Sequence, residues 1–170
     1  MKLLSLRANK ESFHPIIFKD GINIIVGKQV APHNENDGNT YNGVGKSLTL
    51  HLIHFCCGSR KIDSFSKKIP DWEFTLQFAI DGEKHYCTRS TNNQNRIEFD
   101  GEIFNPKVVQ EKLLDMCFSK KNTPKNMTWT TLFSRFIRRY RSSYFSFDAF
   151  VPKESDYSKV LNNCYLLGID

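Results

Sequence analysis

The sequence predicts a mixed α/β fold of α+β character: antiparallel strands and hairpins packed on one apolar helix, with further helices behind them. Three observations predict it. Residues 73–81 alternate, placing Phe74, Leu76, Phe78 and Ile80 on one face, and Asp-Gly pairs at 81–82 and 100–101 supply hairpin turns. The stretch from about Ser47 to Cys57 is apolar nearly all round, as in a helix buried against a sheet. Beyond residue 105 the apolar residues recur at helical spacing.

Taken in order, Lys2 to Arg7 alternates and reads as a strand. His14 to Lys19, with Ile16, Ile17 and Phe18, reads as a second. Asp20-Gly21 makes a tight turn into Ile22 to Val26, which reads as a buried strand ending at Gly27. Residues 28–41 are polar and aperiodic, a surface excursion. The apolar helix turns Leu48, Leu52, Phe55 and Cys56 inward, and Gly58 suits its C-terminal end. A meander follows, with strands at Glu73 to Asp81, Lys84 to Arg89, Arg96 to Phe99 and Glu102 to Phe104. Asn105-Pro106 is an N-cap and first helical residue. That helix carries Val109, Leu113, Met116 and Cys117 inward. After a basic loop over 119–126, a helix from Trp129 to Arg141 places Trp129, Leu132, Phe133, Phe136, Ile137 and Tyr140 on one face. Arg135, Arg138 and Arg139 lie on the other. An aromatic segment, Tyr144 to Phe150, leads to a last helix from Ser158 to Leu167.

The chain has 170 residues, 39% of them hydrophobic and 13% aromatic, enough for one domain with a packed core and too apolar for disorder. No stretch is long and apolar enough to span a bilayer, and the N-terminus lacks a signal-peptide pattern, so the expectation is a cytoplasmic protein. Five cysteines without CxxC spacing, two of them adjacent in the apolar helix, read as small core residues. His14, His33, His51, His54 and His85 have no partners at metal-ligand spacing and read as packing or surface residues. A net charge of +6 permits an acidic partner, DNA being one.

The chemistry-bearing motif is Asn42-Gly43-Val44-Gly45-Lys46-Ser47, directly before the apolar helix. Glycines let backbone N–H groups curl around phosphate oxygens, a lysine reaches the β- and γ-phosphates, and a serine hydroxyl binds Mg²⁺. The helix that follows aims its positive N-terminus at the same anion. The full P-loop pattern puts a first glycine at position 40, where Thr40 stands. Gly27, after its apolar run, supplies a glycine in the right context, so the motif reads as a P-loop split by residues 28–41. Asn42, Gly43, Gly45, Lys46, Ser47 and Leu48 are then the nucleotide-binding set for ATP, with Ser47 contacting Mg²⁺ through the nucleotide.

On these residues the chain resembles the N-terminal half of an SMC-like, ABC-type ATPase head, a P-loop NTPase half-head. The pieces that carry the likeness are Phe18 to Gly27, the loop Asn42 to Ser47 and the helix ending His51-Leu52-Ile53-His54-Phe55-Cys56-Cys57-Gly58. Leu132 to Arg138 and Tyr165 to Asp170 resemble segments of an uncharacterised bacterial family that includes components of ABC-three-component systems, linked to defence against phage. The resemblance implies an N-terminal lobe over residues 1–170, with the insertion at 28–41, the meander at 73–104 and a helical part at 105–170. It implies that the coiled coil and the C-terminal lobe, with signature motif, Walker B aspartate and catalytic glutamate, are not in this chain, as in a truncated product, half of a split gene or a degenerate remnant. No catalytic residue is then assigned here. Gln77 to Glu83, the nearest imitation of Walker B, alternates and ends in a hairpin, whereas Walker B strands are continuously apolar. Gln77 and Gln110 do not follow a suitable buried strand for the metal-contacting glutamine.

The resulting expectation is ATP–Mg²⁺ binding without turnover, hydrolysis requiring the missing C-terminal lobe or a second head in an ATP-dependent homo- or heterodimer. Two alternatives stand beside it. One is a non-catalytic module whose P-loop no longer binds and whose Arg135, Arg138 and Arg139 bind nucleic acid or a partner protein, with Lys120, Lys121 and Lys125 nearby; the same arginines fit better a solvated helix face, or one that pairs with the missing lobe. The other is a compact NTPase or nucleotide kinase of another P-loop class, against which the hairpins argue.

Overall fold

A computed structural model describes residues 1–26, 45–118, 124, 127–145, 148 and 150–169. The insertion at 28–41, Gly27, Asn42 and Gly43 lie outside the described residues.

The chain forms one antiparallel sheet with helices on one face. Strands β1 (Lys2–Ala8), β2 (Ile16–Ile17), β3 (Glu73–Ile80), β4 (Glu83–Ser90), β5 (Ile97–Phe99) and β6 (Glu102–Phe104) lie in the order β2-β1-β3-β4-β5-β6. Every neighbouring pair is antiparallel. The helices are α1 (Lys46–Cys56), α2 (Asp63–Lys68), α3 (Pro106–Phe118), α4 (Trp129–Phe136) and α5 (Asp156–Leu167). The fold is thus mixed α/β, as its alternation and Asp-Gly pairs predict.

The meander follows its sequence closely. Asp81 and Gly82 have φ of 50° and 88°, and Asp100 and Gly101 have 51° and 88°. Two successive positive φ values are the type I′ signature, whose twist matches that of the strands it joins. The register pairs Phe78 with His85 and Leu76 with Cys87, so a single row of β3 side chains faces the helices. Leu6, Phe74, Leu76, Phe78, Cys87, Ile97 and Phe99 form the sheet's share of the core; Leu52, Phe55, Val109, Leu113, Trp129 and Leu132 form the helices' share. The opposite face is polar. Thr75 and Thr88 hydroxyls meet at 2.8 Å, and Gln77 Nε2 donates to the Tyr86 hydroxyl at 3.0 Å.

The helices carry the caps their sequences supply. Asn105 Oδ1 accepts from the Val108 N–H at 3.0 Å, Thr128 and Thr131 form a capping box, and Ser155 Oγ accepts from the Ser158 N–H at 3.2 Å. Gly168, at φ 66°, ends α5.

Three expectations are corrected. Ile22 to Val26 is not a strand of this sheet: Ile22, Ile24 and Val26 are 92%, 81% and 74% exposed. Apolarity and β-branching suit a strand but do not provide a neighbour, and β2, which ends at Ile17, takes the open side of β1. The second strand is itself only the pair Ile16–Ile17. The helix predicted over Trp129 to Arg141 ends at Phe136, because Ile137 adopts an extended conformation, φ −125° and ψ 93°. Phe136, placed on the inner face by its spacing, is 64% exposed. Among the described residues no helix is long and apolar enough to cross a membrane.

Candidate functional site

The glycine that precedes α1 has the conformation its position demands. Gly45 sits at φ 79° and ψ 5°, a left-handed geometry that costs an L-residue roughly 1–2 kcal/mol. Its carbonyl accepts the Thr49 N–H at 3.1 Å and the Thr49 hydroxyl at 3.4 Å, closing the first turn. Lys46 is the first helical residue, and Ser47 is exposed beside it. The first turn contains no acidic residue and its cap has no side chain. The helix therefore does not satisfy its own leading N–H groups or neutralise the positive end of its dipole.

Burial changes along α1. Every residue from Leu52 to Cys57 is buried, while among Ser47 to His51 only Thr49 is. The C-terminal half is enclosed by sheet and helices and the N-terminal half projects. That projection explains a departure from expectation: Leu48, on the apolar stripe, is 37% exposed.

The buried end is held by side chains that sequence reasoning did not assign. Arg89, 1% exposed, lies on the inward face of β4. Its Nη1 donates to the Phe55 carbonyl at 2.7 Å and the Ser59 carbonyl at 2.8 Å. Its Nε and Nη2 donate to the Gln94 carbonyl at 2.9 and 2.6 Å. The guanidinium also stacks over the Phe55 ring, 4.4 Å from its centroid. A cation at the negative end of a helix opposes the dipole there. Burial pulls the Arg89 pKa down to about 10, still protonated at neutral pH. The signal was legible in part, since Arg89 occupies the same parity as buried Cys87.

Gly58, at φ 85°, completes this end. A Cβ there would meet the Pro106 carbonyl oxygen at 2.8 Å, and the Gly58 carbonyl accepts from Gln110 Nε2. The Nε2 of His54, which is 2% exposed, donates to the Ile137 carbonyl at 2.8 Å. A carbonyl only accepts, so Nε2 carries the proton. Burial lowers the His54 pKa to about 4, outweighing the opposing effect of that hydrogen bond. Burial also pushes the Cys56 thiol up to about 12, and Cys57 and Cys87 upward as well, so these cysteines are inert core groups.

The three arginines do not form an outward face. Arg135 and Glu154 make an ion pair of 2.7 Å with side chains 3% and 4% exposed. Arg135 also donates to Asn163 Oδ1 at 3.0 Å and the Thr131 carbonyl at 2.6 Å. Arg138 Nη1 donates to the Ser143 carbonyl at 2.9 Å, and its guanidinium lies 4.4 Å from the Phe150 ring centroid. Arg139 is half-buried beside Tyr140, and burial lowers its pKa. Because α4 ends at Phe136, Arg138 and Arg139 never join its surface. Lys120, Lys121 and Lys125 lie outside the described residues.

Among the described residues no group of three or more His, Cys, Asp or Glu side chains is arranged to hold a metal ion. Neither the known protein-family models nor the curated proteins compared with this chain give a match.

Proposed function

We propose that the chain binds the phosphates of ATP at the N-terminus of α1, as half of an SMC-like ATPase site that turns nucleotide over only with a complementary lobe. The observation that carries the reading is Gly45. It is the glycine of Gly-Lys-Ser, it adopts a left-handed conformation, and it opens an eleven-residue helix with no acid and no side-chain cap in its first turn. The N–H groups of that turn suit an anion. Ser47 would contact Mg²⁺ through the nucleotide, Lys46 would supply the positive charge, and Asn42, Gly43 and Leu48 would complete the binding set. Mg²⁺, held there with the nucleotide through Ser47, would help neutralise the phosphate charge.

The sequence offers no carboxylate with a Walker B context, which is why hydrolysis is assigned to the assembled site. Titration of the purified chain with a fluorescent ATP analogue and Mg²⁺ tests the reading. Lys46→Ala is expected to weaken binding at least tenfold. Equal affinity in both proteins would remove the P-loop assignment, and robust turnover by the isolated chain would remove the half-site assignment.

A further inference from the structure

Among the described residues Arg139 has no counter-ion. It makes no ion pair there. Burial pulls its pKa down, and only Tyr140 opposes that pull; no carboxylate acts on it. Its Nε is buried without a hydrogen-bond partner, and its guanidinium lies 4.8 Å from the Tyr140 ring centroid. An arginine keeps its proton in a protein, so it cannot escape burial by becoming neutral. Buried charges are otherwise paired, as Arg135 is with Glu154.

The groups around Arg139 are basic too. Ser47, His51 and His54 follow at the spacing of one helix face, and the segment after α4 lies along that face. His54 Nε2 donates to the Ile137 carbonyl at 2.8 Å. Nearer the start of α1, the His51 ring meets the Tyr140 ring edge-on, with centroids 6.1 Å apart. Arg139 is carried between these two contacts. Burial first, and Arg139 after it, lowers the pKa of both imidazoles, and no carboxylate acts on either. His51, Arg139 and Tyr140 are each partly exposed, so the cluster opens to solvent.

We infer that Arg139 and His51, beside Tyr140, form a binding site for a phosphate oxyanion on the flank of α1. The guanidinium presents its N–H groups in a planar fork that matches phosphate oxygens. An arriving anion favours the protonated imidazole, which then adds a second positive charge and a further donor. Arg139 with one such imidazole balances a doubly charged anion, which selects phosphate over a carboxylate. Two sources present this chemistry: free inorganic phosphate, and the terminal phosphate of a nucleotide held at the start of α1. The exposed Ser47 stands on the same face, one turn from His51. The inference rests on the unpaired guanidinium and not on the nucleotide reading.

The test is titration of the full chain with inorganic phosphate near neutral pH, read by melting temperature and calorimetry, with chloride at equal ionic strength as the reference. At about fifty times its Kd, phosphate should raise the melting temperature by roughly 5–9 °C above the chloride value. Arg139→Met should weaken phosphate at least about tenfold. Having lost an unpaired buried cation, it should melt in chloride no lower than the unchanged chain. Where that variant does not fold, Arg139→Lys, which keeps the charge without the fork, should weaken phosphate about threefold. Arg141→Gln, an exposed change two positions on, should keep the full response. No shift beyond that of chloride, an equal response in the Arg139 variants and the unchanged chain, or an equal loss in Arg141→Gln would each overturn the inference. Lys46→Ala and ATP separate the sources. For free phosphate, Lys46→Ala keeps the phosphate response and Arg139→Met keeps the affinity for ATP. For the terminal phosphate, Arg139→Met weakens ATP more than ADP. Failure of ATP to bind, with the phosphate response intact, would remove the nucleotide reading and leave this one standing.

Discussion

Replacing Arg89 by methionine removes the cation that joins α1 to the β4–β5 loop while keeping an apolar side chain of similar length. Three carbonyls lose a charged donor: Phe55, Ser59 and Gln94. Phe55 retains another partner, the Gly58 N–H at 3.2 Å, so the main cost falls on Ser59 and Gln94. An orphaned buried acceptor costs about 1–3 kcal/mol, giving roughly 2–6 kcal/mol for the pair. Against this, the fold no longer bears the desolvation of a buried cation, itself worth several kcal/mol. Loss of the ring stacking over Phe55 adds about 1–2 kcal/mol at a desolvated site. The expected net destabilisation is about 3 kcal/mol, a fall in melting temperature of roughly 6–12 °C for a domain of this size. Urea denaturation read by the fluorescence of Trp72 and Trp129 and by circular dichroism measures it. Arg89→Lys, which keeps the charge but not the planar fork, should lose less than Arg89→Met. A loss under about 0.5 kcal/mol for Arg89→Met, or a greater loss for Arg89→Lys, would refute the reasoning.

Gly58→Ala should cost about 2–3 kcal/mol in the same assay, because it combines a left-handed φ with a Cβ driven against the Pro106 carbonyl. His54 has a folded pKa of about 4 against about 6.5 in an unfolded chain, so the unfolded chain binds more protons between these values. Stability should be at its full value above pH 6.5 and fall as the pH drops toward 4, by about 3 kcal/mol; His54→Gln should remove most of that slope, and an unchanged slope would reassign it. His51, shifted in the same direction by burial and by Arg139, leaves a residual dependence. Glu154→Ala strands the buried Arg135 charge and should cost about 3–5 kcal/mol, whereas Arg135→Met with Glu154→Leu should recover part of the loss. Urea midpoints of the three proteins decide this, and a double variant no more stable than Glu154→Ala would argue against a coupled pair.

The parts of the fold legible in sequence are those fixed by neighbours a few residues away. Asp81-Gly82 and Asp100-Gly101 set their own turns, and the β3 alternation sets its own buried face, so strand ends were readable to about a residue. Asn105 and Pro106 started α3 for the same local reason. Ile22 to Val26 failed because a strand also needs a ladder partner, which side-chain composition cannot supply. The arginines near α4 failed because their partners, Glu154 and Asn163, are 19 and 28 positions from Arg135. The candidate site divides likewise. Gly45 and the start of α1 follow from the motif, but the clamp at its far end depends on Arg89, 34 positions from Phe55.

The gradient of burial along α1 makes that helix a cantilever. Its root, from Leu52 to Cys57, is clamped by Arg89, by the Gly58–Gln110 contact and by close packing, while its tip around Ser47 stands clear of the core. Amide exchange should accordingly slow progressively from tip to root. An anion arriving at the tip would need to immobilise only the leading turn, at roughly 1–2 kcal/mol per residue fixed, since the root is already stationary. Any torque it exerts reaches the rest of the molecule through the root, where the His54 imidazole on the Ile137 carbonyl ties the helix to the chain beyond α4.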